Sequence, residues 1–262
     1  ARVFEVIFAL IVVRKYNCPS TSIRALLGKK DIPDANVLRG CELHMFLADG
    51  SNNLDELMRN LAKAKVMVVG LGAVGGYCLE ALARAGVGNF VLVDFDKFEI
   101  SNINRQVLAT EKTLGRKKTE VAKERIAEIN PNAKVEIRDV FVNAISIDEL
   151  LEEKVDFVID AIDALNPKCD LMEALYLRDI DFISSMGAAL KTDVSKIKQG
   201  VLSNSKNCSL AKFVRKRLRK RGLEISKINA VWSDEQVDVP ESALVKGEEN
   251  IASGRVRHTL GS

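Results

Sequence analysis

Residues 66–106 read VMVVGLGAVGGYCLEALARAGVGNFVLVDFDKFEISNINRQ, and this stretch decides the fold. Its first four residues are apolar on both faces, as expected of a strand buried in a parallel sheet. Gly70, Gly72 and Gly75 follow in the spacing Gly-x-Gly-x-x-Gly. Glycines at this spacing allow a tight turn, close approach of a phosphate to the backbone, and close packing of the next helix on the strand. The stretch therefore predicts a phosphate-binding turn.

The residues after the glycines strengthen this prediction. A helix is expected from about Ala73 to Ala85, with its free backbone N–H groups facing an anion. The next apolar strand, Val91 to Val93, ends in Asp94, which lies about 20 residues past the glycines, where a carboxylate accepts the ribose hydroxyls. Glycine turns without a ligand are common, so the order of strand, turn, helix, strand and acid is what indicates a nucleotide. This order does not say which nucleotide.

The amino-acid composition is typical of an ordinary globular protein. The chain has 262 residues, of which 47% are hydrophobic and 29% charged, and its net charge is +3. This length suits one large α/β domain or slightly more. The five cysteines are scattered without a Cys-x-x-Cys pair, at Cys18, Cys41, Cys78, Cys169 and Cys208. Such usage argues against a zinc site and a disulfide scaffold, and it predicts a cytoplasmic protein.

Two segments precede the glycine strand. The apolar run from Val6 to Val13 is too short to cross a bilayer and lacks a cleavage site, so we expect a buried helix and no integral membrane segment. Residues 17–43 are mixed and have no assigned role. A helix from about Leu54 to Lys63 is predicted to lead into the glycine strand.

Strand and helix patterns alternate from Val66 to Ser185. They predict an α/β fold with a doubly wound, mostly parallel, Rossmann-like sheet, whose sites lie at the carboxyl ends of the strands. Beyond residue 106 the predicted helices are Leu114–Ile129, Ile147–Leu151 and Leu171–Leu177, and the predicted strands are Val135–Arg138, Val155–Ile159 and Asp181–Ser185.

Three polar features are expected at those strand ends. The loop from Ser101 to Gln106 follows Asp94 and Asp96, and its Arg105 could hold a phosphate in a bidentate contact. Lys118 lies at the start of the next helix. Asp160 and Asp163 follow the third apolar strand, and either could present a carboxylate to magnesium held by the phosphates.

Each of these features also has a plainer interpretation. Lys118 could be a solvated surface lysine, Asp163 a helix cap, and the Ser101–Gln106 loop an ordinary turn. Any one of them alone favours that interpretation. Together, and in this order along the chain, they favour a functional site.

A basic segment near the end of the chain indicates a nucleic-acid surface. Residues 206–221 contain eight basic residues and no acidic one. Leu210, Phe213, Val214 and Leu218 are predicted to lie on one helical face, which leaves the basic residues as a stripe on the other. Because the net charge is small, this cluster favours a phosphate-binding surface over a merely solvated face. The candidate contacts are Lys212, Arg215, Lys216, Arg217, Arg219, Lys220 and Arg221.

The order of these parts resembles a known superfamily. The segments VDFDKFEISNINRQ, GRKK and VIDAID, placed after the glycine turn, resemble the ATP-dependent adenylating enzymes of the ubiquitin-activating, MoeB and ThiF superfamily. Within it, SSMGAAL, CSLAKFVRKRLRKRGL and AVWSDEQ resemble the tRNA threonylcarbamoyladenosine dehydratases, which lack the zinc cysteines of the other branches. The resemblance covers roughly residues 50–262, and the run from Asn102 to Gln106 is its most specific part.

This resemblance implies a reaction. ATP and Mg²⁺ would activate the carboxylate of N6-threonylcarbamoyladenosine in tRNA as an acyl adenylate, and ring closure would then release AMP. The implied catalytic residues are Arg105, Lys118 and Asp163, with Asp163 also binding the metal. The implied ATP-binding residues are Gly70, Gly72, Gly75, Asp94, Asp96, Asn102 and Gln106. No catalytic cysteine is required, so Cys208 is interpreted as structural.

The resemblance also implies partners and boundaries. The partners would be the modified tRNA, bound through the seven basic residues named above, and a second copy of the chain in a homodimer; a sulfur-transfer protein is a further candidate. Residues 45–190 would form the ATP-binding adenylation domain and 191–262 a substrate and tRNA-binding extension. Residues 1–44 resemble the family's C-terminal part, which leads to the hypothesis of a circular permutation. An arginine that family members carry upstream of the first strand is not found between Phe46 and Gly50.

Three alternatives remain open. An enzyme that adenylates a ubiquitin-like or sulfur-carrier protein would share the site residues, but it would normally show zinc cysteines and would not need the basic helix. A nicotinamide-dependent oxidoreductase would share the glycine turn and Asp94, but it has no need for Lys118 followed by Asp163. A non-catalytic relative that keeps the fold is the third.

Overall fold

A computed structural model describes residues 54–236, with side chains from Arg59 onward. Several sequence predictions concern positions outside this range. They are the N-terminal buried helix, the role of residues 17–43, the missing upstream arginine and the circular permutation.

The described chain alternates strands and helices as the sequence predicts. The helices are α1 (Leu54–Lys63), α2 (Ala73–Arg84), α3 (Lys118–Ile129), α4 (Ser146–Leu150), α5 (Leu165–Leu177) and α6 (Ser209–Lys220). The strands are β1 (Lys65–Val69), β2 (Asn89–Val93), β3 (Lys134–Arg138), β4 (Phe157–Asp160), β5 (Phe182–Ser185), β6 (Ile197–Val201) and β7 (Asn229–Ser233). Short 3-10 turns cover Ile100–Asn102, Val194–Lys196 and Leu202–Asn204.

All seven strands join one sheet in the order β3-β2-β1-β4-β5-β7-β6. Strand pairs are parallel except β6 with β7. The order reverses direction at β1, so the carboxyl ends of β1, β2 and β4 meet around a crevice where ligands bind in open α/β sheets. The doubly wound, mostly parallel sheet predicted from the sequence is confirmed.

The sheet is buried on both faces. Val66 and Val68 point into a core with helices α2 and α3, whereas Met67 and Val69 point into a second core with α4, α5 and α6. This alternation follows from the two-residue period of a strand, and it explains why the central strands are apolar throughout. Two helical layers therefore fix the ends of the strands.

The sequence-based predictions misplaced some element boundaries and did not include the last two strands, β6 and β7. The helix expected from Leu114 begins at Lys118, because Lys117 is extended and bridges Lys97 in the loop that follows β2. Helix α5 begins at Leu165, six residues before the expected Leu171, and Pro167 fits its first turn, where no N–H is needed. Strands β6 and β7 were not predicted, and they extend the same sheet beyond residue 190.

Phe213 is a correction within α6. It was expected on the apolar face, yet its side chain is 54% exposed, whereas Ala211, Val214 and Leu218 are fully buried. With 3.6 residues per turn, a residue two positions from Ala211 lies on nearly the opposite side of the helix. In the part of the chain that the structure describes, no helix is long and apolar enough to span a membrane.

Candidate functional site

The glycine turn between β1 and α2 is shaped by two close backbone approaches. Gly70 has a φ of +89°, and a Cβ there would lie 2.8 Å from the Ala161 carbonyl oxygen. A Cβ on Gly75 would lie 1.8 Å from the Gly70 carbonyl oxygen. A Cβ on Gly72 would meet nothing nearer than Gln106 Nε2 at 3.7 Å. The fold therefore requires Gly70 and Gly75, whereas the space at Gly72 is open to a ligand.

Asp94 ends β2 beside this turn and is nearly buried. Its carboxylate accepts hydrogen bonds from the backbone N–H of Leu71 at 2.7 Å and of Asp96 at 2.9 Å. Burial raises the pKa of Asp94, and the positive charge of Lys118 and the two N–H donors oppose that rise. The contact with Leu71 fixes the carboxylate against the glycine turn, with lone pairs left for other donors.

Lys118 reaches the site because the loop after β2 and the segment before α3 are joined by backbone hydrogen bonds. The Phe98 N–H donates to the Arg116 carbonyl at 2.9 Å, and the Lys118 N–H donates to the Asp96 carbonyl at 3.1 Å. The Lys118 side chain is 6% exposed, and its Nζ lies 3.3 Å from Asp96 Oδ2. Lys117 instead points outward to Asp139, at 2.6 Å. The structure thus distinguishes two adjacent lysines, and Lys118 is not a solvated surface residue.

The polar loop after β2 carries two unpaired buried atoms. The Arg105 guanidinium donates from one terminal nitrogen to the Ser101 carbonyl at 2.7 Å and to Asn104 Oδ1 at 2.9 Å. Its Nε and the Oε1 of Gln106 are buried without a partner among the described residues. Buried polar atoms are almost always hydrogen-bonded, so this donor and this acceptor indicate a missing ligand or solvent.

Asn102 shapes the same loop. Its side-chain oxygen accepts from the Glu99 N–H at 3.1 Å, and its backbone carbonyl accepts from the Gln106 N–H at 2.9 Å. These bonds close the turn, which leaves the side-chain amide nitrogen of Asn102 with no hydrogen bond to the described part of the chain.

The two aspartates after β4 have different surroundings. Asp160 is fully buried, and its carboxylate accepts from Lys168 Nζ at 2.7 Å and Ser184 Oγ at 2.6 Å. Asp163 is exposed, and α5 begins with Ala164 as its N-cap, without a side-chain capping bond. The Asp160 carboxylate is thus already hydrogen-bonded within the protein. The Asp163 carboxylate remains available to a ligand and does not cap the helix.

Sequence reasoning missed Lys168. This lysine and Ser184 are fully buried with Asp160, forming a polar cluster under the loop that carries Asp163. The signal was its helical spacing, since Lys168 falls on the same face as the buried Leu171 and Met172.

A cavity of about 100 Å³ lies on the β5 side of the glycine turn, away from Asp94. Lys191 closes one wall, donating to the Asn207 carbonyl at 2.9 Å and to the Glu235 carbonyl. The Glu235 carboxylate in turn accepts from the N–H groups of Thr192 at 2.8 Å and Asp193 at 2.9 Å. Its lining includes Val74, Ser185, Met186, Gly187, Lys191 and Trp232. The sequence did not predict this cavity, because its walls come from segments distant along the chain.

The basic residues of α6 divide into two groups. Arg221 pairs with Asp170 and Glu173, each at 2.7 Å, and Arg215 donates to the Ser205 carbonyl at 2.6 Å. Arg217 is half-buried. The residues that extend into solvent are Lys212, Lys216, Arg219 and Lys220. We call these four the basic stripe below.

The described cysteines are buried. Burial raises the pKa of the Cys78 thiol to about 12 and that of Cys169 to about 11. Cys208 caps α6, where its sulfur accepts from the Ala211 N–H at 3.5 Å. The environments of Cys78 and Cys169 therefore do not stabilise a reactive thiolate.

Comparison with known proteins identifies a family. The model of the ThiF family matches residues 47–232. A tRNA threonylcarbamoyladenosine dehydratase of Bacillus subtilis is 40% identical over 197 residues, which cover 74% of this chain and 76% of that protein. The molybdopterin-synthase adenylyltransferase of Escherichia coli is 32% identical over 133 residues, which cover 51% of this chain and 52% of that protein.

Solved structures agree with the sequence comparisons. The Escherichia coli tRNA N6-threonylcarbamoyladenosine dehydratase in complex with ATP matches with a TM-score of 0.68 and 32% identity, covering 71% of this chain and 79% of that one. The same enzyme in complex with AMP matches with a TM-score of 0.69, covering 71% of this chain and 78% of that one.

Proposed function

The chain belongs to the ThiF family, and from this premise we propose that it uses ATP to dehydrate N6-threonylcarbamoyladenosine in tRNA through an acyl adenylate. The dehydratases that it resembles in sequence and in structure support this substrate. The site supports the nucleotide part of the reaction. The observation that carries it is the pair of unpartnered buried atoms, Arg105 Nε and Gln106 Oε1, in the loop whose Gln106 side chain borders the open space at Gly72.

In this proposal ATP lies across the carboxyl ends of β2, β1 and β4. The glycine turn and the first N–H groups of α2 hold the phosphates, because unpaired N–H groups at a helix start attract anions. Asp94 accepts the ribose hydroxyls, with Asp96 beside it. Asn102, Arg105, Gln106 and Lys118 surround the triphosphate. The complexes of the Escherichia coli relative with ATP and AMP support this choice of nucleotide.

The first chemical step joins the substrate carboxylate to the nucleotide. A carboxylate oxygen of the threonylcarbamoyl group attacks the α-phosphorus, and pyrophosphate leaves. Arg105 and Lys118 stabilise the negative charge that develops on the phosphate oxygens. Because these cations are held in place before the reaction, the catalysis is electrostatic and does not require a covalent enzyme intermediate.

The second step closes a ring. The carbamoyl group of the same substrate attacks the activated carbonyl carbon, and AMP departs with the former carboxylate oxygen. The cavity beside Val74 and Gly187 lies next to the glycine turn and can hold the acyl group there. The buried cysteines fit a scheme without a thioester, and they fit the reducing cytoplasm, where we place the protein.

Magnesium belongs to the same proposal. Mg²⁺ at ATP sites is held by one or two carboxylates together with phosphate oxygens, so the exposed and unpaired Asp163 suits it. Asp163 would hold the ion, which supplies positive charge to the triphosphate when bound. Asp160 is committed to Lys168 and is not a candidate ligand.

The modified tRNA would bind through the basic stripe. Four solvated cations on one helix can contact phosphates, whereas Arg221 is already neutralised by Asp170 and Glu173. In this view residues 45–190 bind the nucleotide, and 191–262 add the tRNA contacts.

A homodimer completes the proposal. Ile100 is 74% exposed and Ile103 is 37% exposed, next to Arg105, and an apolar surface at this position suits contact with a second copy. Ile100→Asp should yield a monomer in sedimentation if this surface forms the interface, while an unchanged mass would place the interface elsewhere.

The test is AMP release from ATP and Mg²⁺ with tRNA that carries threonylcarbamoyladenosine. AMP should form only with the modified tRNA, the nucleoside should lose one water by mass spectrometry, and Arg105→Ala should lose most of this activity. The half-length match to a molybdopterin-synthase adenylyltransferase makes a carrier-protein C-terminus the second candidate substrate. AMP release with a carrier protein, and none with the modified tRNA, would favour that candidate.

A further inference from the structure

An aromatic ring lies in the middle of the basic helix. Phe213 is 54% exposed on α6, although the helix buries Ala211, Val214 and Leu218 completely. More than half of the Phe213 side chain is left uncovered by the core, so the ring is available for an external contact.

The surroundings of Phe213 are cationic. Lys216 and Lys220 follow it at three and seven residues, so both lie on the same side of the helix as the ring. Lys216, Lys220 and the ring itself are exposed. A flat apolar surface within a group of lysines matches single-stranded nucleic acid, which presents phosphates and unstacked bases together.

The ring is also close to the cavity. Gly187 lines the cavity, and a Cβ built on it would lie 3.5 Å from Leu210 Cβ and 3.7 Å from Cys208 Sγ. The first turn of α6 therefore packs against the cavity wall. Phe213 lies three residues beyond Leu210, which is about 4.5 Å of helix rise. A nucleotide next to one whose acyl group enters the cavity can reach this ring.

We propose that Phe213 is a stacking platform for an unpaired base adjacent to the modified adenosine of the tRNA. The proposal rests on the proposed function and assigns it a recognition residue. The lysines attract the backbone without reading it, whereas the ring holds one neighbouring base and so orients the modified nucleotide toward the cavity. Leucine would cover a similar apolar area but could not stack in the same way.

The experiment measures binding of an anticodon stem-loop that carries threonylcarbamoyladenosine. Two versions have 2-aminopurine on the 5′ or the 3′ side of the modified nucleotide, because the fluorescence of this base falls when it stacks. Phe213→Ala and Phe213→Leu should weaken binding by about fivefold to 100-fold, as expected for the loss of one stacked base. Phe213→Tyr should bind like the wild type. Ile145→Ala, which removes an 88% exposed side chain from the connection between β3 and α4, is the control.

Two further readouts separate stacking from charge and from the reaction. The salt dependence of binding should be unchanged in Phe213→Leu, because no phosphate contact is lost. Quenching of 2-aminopurine in one of the two RNAs should be present in the wild type and in Phe213→Tyr and absent in Phe213→Leu. Equal affinity and equal quenching in Phe213→Leu would overturn the stacking role. Absence of AMP release by the wild type with the modified tRNA would instead overturn the proposed function.

Discussion

The carboxyl ends of β1, β2 and β4, which we call the nucleotide edge, differ from the exposed face of α6 in how far their polar and charged side chains are exposed to water. At the nucleotide edge, Asp94, Asn102, Gln106 and Lys118 are each at most 9% exposed and lie among fixed backbone contacts. On α6, the cations of the basic stripe extend into solvent. Fixed, desolvated groups act strongly on a transition state, whereas solvated charges act at long range and are screened by salt.

This difference predicts two kinds of mutational effect. Substitutions at the nucleotide edge should change turnover or stability with little dependence on ionic strength. Substitutions on the face of α6 should change RNA affinity in a manner that salt modifies.

The buried ion pair between Lys168 and Asp160 should be the part of the molecule that is most sensitive to substitution. Lys168→Met removes the ion-pair partner of the buried Asp160 carboxylate, so the free energy of unfolding should fall by about 3–5 kcal/mol. Urea denaturation measures this loss. Lys227→Met, which removes an exposed cation paired with Glu224, is the control and should leave the urea midpoint nearly unchanged. A similar midpoint for both variants would mean that the buried pair is not a fixed element.

Lys118 and Lys117 form a matched pair for catalysis. Lys118→Met should lower the rate of AMP release by about 10²–10³-fold, because it removes a positioned charge from the reacting phosphate. Lys117→Met removes a neighbouring lysine that pairs with Asp139, and its rate should equal that of the wild type. Single-turnover rates at saturating RNA provide the measurement. Equal losses in the two variants would contradict the assignment of Lys118 to the site.

Two glycines of the turn should have different roles, one in stability and the other in ATP binding. Gly75→Ala places a methyl group 1.8 Å from the Gly70 carbonyl oxygen, so the fold must shift. We expect a loss of about 1–3 kcal/mol in stability, typical of overpacking. Gly72→Ala meets nothing closer than 3.7 Å, so its melting temperature should stay near that of the wild type while ATP binding weakens. Thermal unfolding and ATP titration distinguish the two. Normal ATP affinity in Gly72→Ala would place the phosphates elsewhere.

The basic stripe should give the smallest and most salt-dependent effect. Lys216→Ala should reduce the slope of log affinity against log salt concentration by about 0.7–0.9, the value for one phosphate contact. Arg221→Ala, whose guanidinium is paired inside the protein, should leave that slope unchanged. Binding titrations of the modified tRNA between low and moderate salt give the slopes. Equal slopes in the wild type and Lys216→Ala would remove Lys216 from the interface.

The sequence predicted the fold from local signals. Alternating apolar runs specified the parallel strands, because a strand buried on both faces must be apolar throughout. The glycine turn, Asp94 and Lys118 were predicted in sequence order, and the structure places them side by side at one edge of the sheet. Their roles remain predictions that the substitutions above will test.

Features that depend on distant contacts were not predictable in the same way. Strand β7 pairs with β5 and β6 after a long excursion, and Lys168 meets Asp160 only when α5 packs on the sheet. The exposure of Phe213 depends on which side of α6 faces the core. Local patterns carry little information on the pairing of β7, which is set by packing between remote segments, whereas the helical spacing of Lys168 was a signal that sequence reasoning missed.

The most direct test of the proposed chemistry follows one oxygen atom. The modified tRNA is prepared with oxygen-18 in the carboxylate of its threonylcarbamoyl group, and AMP from a single turnover is analysed by mass spectrometry. If the carboxylate attacks the α-phosphorus and ring closure expels AMP, the AMP carries one heavy oxygen from the substrate. Unlabelled AMP, or ADP together with labelled phosphate, would contradict the acyl adenylate.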